Sequence, residues 1–428
     1  VTQSLPDQPT AKPDYLSIAQ LSVSGLGLVL SLVTALGMAI FGAINLIDGS
    51  NLTSITTLFS TLWISLLMAG LAVPSIVYSI RRLGGRSPAL PEVRSFRLVS
   101  MLILVWPLIL LLGNLVAGQP RLAWIFLPPL QLLAVGIPAL WLVEITRHKL
   151  PVKSPQRGWG LVNFSIFITT QVLMVVEILA LLVIFVLLGI WISSQPELMR
   201  LVERLAQRLV NAPASMDDVL EIIRPYLQNP LLIFGALAVV SGLIPLIEEL
   251  LKPLALWMLA GRRLSPAEGF VAGGLCGAAF GLVESLFYLS NPFEEGWALL
   301  AVGRAGTVLL HTATSALVGW GMAYAWQKGA YLRLALSYLL AVFLHGLWNA
   351  LSLVSGFSGA PAGLQHSSGL VSFAPFGVAF LALLLLLLLW TGNGYLQKNP
   401  GPTLEAAPTG LLAEQAREAE STDLDKIY

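Results

Sequence analysis

Four short stretches of an otherwise apolar chain carry side chains that can do acid–base chemistry. IPLIEELLKPLALW sets Glu248 and Glu249 side by side, with Lys252 one turn from Glu248 and Pro245 and Pro253 flanking them. A second stretch holds Phe280, Glu284 and Tyr288 at four-residue spacing, and a third holds Arg304, Thr307 and His311 at intervals of four and three, so each set lies on or near one helical face. FLHGLWNA puts His345 and Asn349 one turn apart. An acid paired with a lysine beside a second acid suits activation of water: one carboxylate acts as base while the lysine offsets the cost of burying its charge. An imidazole and an amide side by side offer two neutral donors for a developing oxyanion. Each piece alone has a plainer reading. Glu248 and Lys252 can neutralise each other at a kink, Glu284 can be a structural acceptor, and Arg304 can reach the outer interface or pair with Glu284. His148 and His366 fall in loops and are expected to be idle.

The setting gives these residues their weight. Of 428 residues, 56% are hydrophobic and 11% charged, against roughly 25% charged in a soluble domain. So few charges cannot cover a soluble body of this size, whereas lipid needs no such cover. The formal net charge is +1, and the absence of a basic block excludes a nucleic-acid footprint. The single cysteine, Cys276, permits no internal disulfide. A charge at the centre of a bilayer costs roughly 2.5–3.5 kcal/mol. Glu248, Glu249, Lys252, Glu284, Arg304, His311 and His345 are therefore expected to face one another. Outside these stretches Glu177 is the one deep ionisable residue, and Glu144 lies close to a helix end.

The elements that must position them are membrane helices. Apolar stretches of about 20 residues or more cover 18–47, 52–80, 98–118, 122–145, 161–194, 231–260, 268–290, 297–326, 331–354 and 368–391, giving an all-α polytopic bundle of about ten spans. A polar stretch precedes the first, without a charged n-region or cleavage site, so it is not read as a cleaved signal peptide. Arg81, Arg82, Arg86, Arg94 and Arg97 follow the second span, and Arg147, Lys149, Lys153 and Arg157 the fourth. With Arg262, Arg263, Lys328 and Arg333 on the same side and Arg121 opposite, the positive-inside rule predicts a multi-pass cell-membrane protein with both termini cytoplasmic.

The chain divides into a cytoplasmic segment 1–17, a five-helix scaffold 18–194, an extracytoplasmic amphipathic insertion 195–230, a four-helix core 231–354, a last span within 355–391 and a disordered tail 392–428. In the insertion Leu198, Leu201, Val202, Leu205 and Leu209 share a face, and Ser215 with Asp218 marks the start of a second helix. In the core, Gly269, Gly273, Gly277, Gly281 and Ser285 form a ridge for close helix packing. Counting rise per residue, His311 and His345 sit near mid-membrane and Glu284 about 8 Å further out, an offset that tilt can correct.

Taken in order, EELLK, FGLVE with Tyr288, His311 and HGLWN resemble the PrsW-type glutamic intramembrane proteases, which are related to the membrane-bound CAAX prenyl endopeptidases. The resemblance covers residues 231–354. It implies an endopeptidase that hydrolyses peptide bonds of membrane-tethered regulatory proteins by a glutamate-activated water. Glu248 or Glu249 would be the base, and His345 with Asn349 would bind the oxyanion. Glu284 stands where the CAAX branch has a histidine, so His311 would supply the helper role from the next helix. Lys252, Arg304, Phe280 and Tyr288 would support the site. No cofactor is expected. The alternative is zinc, since some relatives are described as metalloproteases; Glu249, Glu284, His311 and His345 are the ligands expected in that case, although HExxH is absent. Membrane lipid and a membrane-anchored regulatory factor are the expected partners. A proton-coupled transporter and a silent scaffold subunit are the competing classes.

Overall fold

A computed structural model describes residues 15–85, 96–150, 154–210, 230–260, 264–290, 296–358 and 370–399. All regular structure among these residues is helical. We number α1 Tyr15–Ile47, α2 Leu52–Leu83, α3 Phe96–Ala117, α4 Pro120–Arg147, α5 Pro155–Ser193 and α6 Pro196–Val210. Next come α7, spanning residues 230–251, the short α8 Leu254–Trp257, α9 Pro266–Leu289, α10 Trp297–Lys328, α11 Tyr331–Ser358 and α12 Leu370–Lys398.

Nine helical segments among the described residues are long and apolar enough to cross a membrane. The tenth expected span, α10, forms a 32-residue helix but is less apolar than the rest. Its surroundings explain this. Helices α3, α4, α9, α11 and α12 all pack on it, so His311, Thr312, Thr314 and Ser315 are buried in protein rather than set against lipid. Helix α9 is the other inner helix, with 72% of its apolar window buried against 6% for α5.

Two helices extend well beyond the sequence expectation. Helix α5 starts at Pro155, because Ser154 caps it by accepting from Arg157 N at 3.2 Å. Helix α12 continues to Lys398, since Asn393 Nδ2 donates to Thr146 O and His148 O at 3.0 Å each, tying that turn to the end of α4. His148, expected to be idle, stacks on Phe96 with ring centroids 4.4 Å apart. Helix α6 keeps the expected amphipathic face, with Leu198, Leu201 and Leu205 half-buried. The second helix expected after Ser215, His366 and the tail beyond residue 399 lie outside the described residues.

Candidate active site

The site begins with an irregular helix. Helix α7 is α-helical over Pro230–Ala238, changes to a π-helical turn over Val239–Leu243 and resumes at Ile244–Leu251. In the π register Ile244 N donates to Val239 O. The next donor in that register would be residue 245, a proline with no N–H, so Val240 O is left over. Asn349 Nδ2 takes the place of the missing donor, 2.9 Å from Val240 O. Gly346 lets α11 come this close, because a Cβ there would collide with the Ser241 carbonyl. Tyr338 Oη donates to Leu246 O at 2.8 Å, a second tie between the two helices. The expected loosening by proline is present, and the freed carbonyl is satisfied by protein. Asn349 thereby braces the π turn, a partner that its spacing from His345 did not foretell.

After Leu251 the helix breaks, and Pro253 takes up φ −80° and ψ 18° before α8. Lys252 occupies that break and is fully buried.

The second support is the glycine ridge. A Cβ on Gly269 would strike Gly319 O, one on Gly273 Ser315 O, and one on Gly277 His311 O. Helices α9 and α10 thus run backbone against backbone, and Ser285 Oγ donates to Arg304 O at 3.1 Å at the end of the ridge. This contact carries Glu284 to His311, with Glu284 Oε2 and His311 Nε2 2.7 Å apart, so the offset expected from residue counting is taken up. Arg304 pairs with the other oxygen, Glu284 Oε1, at 3.0 Å and stacks over Tyr288 with its guanidinium carbon 4.4 Å from the ring centre. Phe280 packs edge-on against His311 with centroids 5.0 Å apart.

Lys252 Nζ lies at the middle of these groups. It is 2.9 Å from Glu248 Oε2, 2.7 Å from Glu249 Oε1, 2.6 Å from His311 Nδ1 and 3.4 Å from His345 Nδ1. The two glutamates differ in how they are held. Glu249 Oε1 meets Lys252, His345 Nδ1 at 2.8 Å and Thr314 Oγ1 at 3.2 Å. Glu248 Oε2 meets Lys252 as an ion pair and has His345 Nε2 3.9 Å away. Glu177, on α5, comes alongside: its carboxyl is within hydrogen-bonding range of Glu248 and interacts electrostatically with Glu284, while its Oε1 is buried without a hydrogen-bond partner. Sequence reading found Glu177 by its depth but did not place it in the site. Thr314 carried no signal beyond lying three residues from His311.

Glu248, Glu249, Lys252, Glu284, His311 and His345 are thus brought together, with Phe280, Arg304 and Tyr288 around them. Glu248, Glu249, Lys252, His311 and His345 are each at most 7% exposed, whereas the Glu284 side chain is 24% exposed, so the cluster is most open on the Glu284 side. A cavity of about 330 Å³ lies elsewhere, between α1, α5 and α8, and none of these residues lines it.

Residues 177–382 match the PrsW family intramembrane metalloprotease. This segment, just under half of the chain, is similar to the PrsW family. No curated protein and no solved structure matches the chain. The PrsW match begins at Glu177 and ends within α12, so it takes in every residue of the cluster and leaves α1 to α4 outside. Together with the nine candidate spans among the described residues, it supports a multi-pass membrane protein similar to a protease family.

The family description names a metal, and the cluster has a donor set of the right kind. Donor atoms of Glu248, His311 and His345 all lie within 4.8 Å of one another, and two histidines with one glutamate are a known catalytic zinc set. Each histidine also has a carboxylate on its other nitrogen, Glu284 on His311 Nε2 and Glu249 on His345 Nδ1. Carboxylate partners of this kind fix ligating histidines in metal sites. The group differs from the set expected from sequence: Glu248 joins the histidines, while Glu249 and Glu284 stand behind them.

Proposed function

We propose that this PrsW-like protein is an intramembrane endopeptidase that cleaves membrane-tethered regulatory proteins through a water activated by Glu248. The reading rests on the unequal holding of the two glutamates. Glu249 is fixed by three side chains and serves to position His345 and Lys252. Glu248, held by one ion pair at 2.9 Å with the Glu177 carboxyl alongside, is the carboxylate with more capacity left to take a proton from water. Protonated Glu248 would return that proton to the leaving amine, while His311, oriented by Glu284, holds Lys252 beside the glutamate. A transporter would place its ionisable residues along a path; here they close on one point, which favours chemistry at that point.

A zinc-dependent variant of the same reading is supported by the carboxylate behind each histidine. Glu248, His311 and His345 would then hold the ion, which would supply Lewis acidity and a more acidic bound water. Glu249 and Glu284 would keep their positioning roles.

The test compares membrane-protein fragments in cells carrying wild type and Glu248→Gln, with and without a membrane-permeant chelator. Fragments absent from the variant and unchanged by chelator support the glutamate reading. Loss on chelation supports the zinc variant, and identical fragments in both strains overturn the protease reading.

A further inference from the structure

The position that a metal would take in this cluster is already the position of a cation. Lys252 Nζ lies 2.6 Å from His311 Nδ1, the nitrogen that Glu284 leaves free, and 2.9 Å from Glu248 Oε2, the carboxylate oxygen turned toward the histidines. His345, the third member of the donor group, is 3.4 Å from the same ammonium. We propose that the Lys252 ammonium and a divalent transition-metal ion are alternative occupants of one donor cage, and that Lys252 decides whether this protein holds a metal. The inference extends the zinc variant above and does not depend on proteolysis.

Three observations carry it. First, the ammonium contacts two of the three atoms that a metal would need, His311 Nδ1 and Glu248 Oε2, and donor lone pairs directed at Lys252 are unavailable to an ion. Second, two cations within a few ångströms in a buried site repel strongly, so the occupancies exclude each other. Third, the lysine is held there by more than the cage. Glu249 Oε1 pairs with it at 2.7 Å from outside the metal-donor group, and the Phe280 ring lies 5.2 Å from Nζ. An incoming ion must displace a side chain with its own set of partners. Lys252 ends the regular turn of α7 and is followed by Pro253. In the wild type the lysine holds the cage, and a metal enters only when it leaves.

The experiment titrates full-length protein in detergent with Zn²⁺ against a chromophoric chelator. Wild type is expected to carry no stoichiometric zinc on purification and to bind it weakly. Lys252→Met, which keeps the length of the side chain and removes the charge, should bind one ion per chain at least about 100-fold more tightly. Adding His311→Ala to it should abolish that binding, and Lys252→Arg should behave as wild type. Equal or weaker binding by Lys252→Met overturns the proposal, because the lysine would then organise the donors without occupying their centre. Wild type that holds one tightly bound zinc through Glu248, His311 and His345 also overturns it, and this result needs no variant to fold. Cleavage plays no part in the readout: fragments unaffected by Glu248→Gln would remove the protease reading and leave the titration standing.

Discussion

Helices α1 and α2 and helices α9 and α10 are both closely packed pairs, yet they bury different kinds of polar group. Between α1 and α2 the buried polar residues are mostly serines, among them Ser24, Ser31, Ser65, Ser75 and Ser79. Two of them return to their own helix, Ser79 Oγ donating to Ser75 O at 2.8 Å and Ser65 Oγ to Thr61 O at 2.8 Å, and Ser24 Oγ reaches across to Ser75 Oγ at 2.8 Å. A hydroxyl can return its hydrogen bond to its own helix, so such a pair can be close without being reactive. Between α9 and α10 the close approach is made by glycine, which offers no side chain, and beside it stand Glu284 and His311, whose partners lie on the other helix. Ionised groups need more than their own turn provides, even where part of the pairing is local, as between Lys252 and its neighbours Glu248 and Glu249. They must be collected from several helices, and here α5, α7, α9, α10 and α11 all contribute. The α1–α2 pair is tight around hydroxyls, whereas the α9–α10 pair is tight beside ionised groups that it holds together.

The largest expected effect lies in the ridge. Gly277→Leu sets a side chain against the His311 carbonyl, and overpacking of this kind costs about 1–3 kcal/mol or more when backbone must move. The variant should lose thermal stability and cleavage together; a stable, active variant would mean that α9 and α10 are not in backbone contact. Next is Glu284→Gln, which takes the charge from the group orienting His311 and pairing with Arg304. Outer partners of site histidines typically contribute on the order of 10–100-fold in activity, so turnover should fall by that factor in a vesicle assay while the protein stays folded. The smallest effect belongs to the scaffold. Ser24→Ala removes one hydrogen bond to Ser75, worth roughly 0.5–1.5 kcal/mol, and should lower the melting temperature slightly with turnover unchanged. A loss of turnover without a loss of stability would place α1 in the chemistry.

Much of this was legible in the sequence. The charge pattern gave the helical bundle, and Glu248, Glu249, Glu284, His311 and His345 stood out because ionisable residues are costly in lipid. The glycine period named a helix contact, and the contact proved to lie along α10. What escaped depended on rotation and on neighbours. The spacing of His345 and Asn349 gives a shared face, but the π turn in α7 left Val240 O without a donor, and Asn349 turned to it. Glu177 was visible as a deep acid, but nothing in the sequence says that α5 packs against α7. The low apolarity of α10 reflects its place among other helices, which a count of apolar residues cannot register.

The most direct measurement compares Glu248→Gln and Glu249→Gln in purified protein reconstituted in vesicles, reading substrate cleavage and melting temperature for each. With Glu248 as the reacting carboxylate and Glu249 as its fixed support, Glu248→Gln should lose on the order of 10²–10⁴-fold in cleavage at nearly unchanged melting temperature, and Glu249→Gln should lose both. Cleavage within about tenfold of wild type in Glu248→Gln, or the opposite split between the two variants, would contradict that assignment.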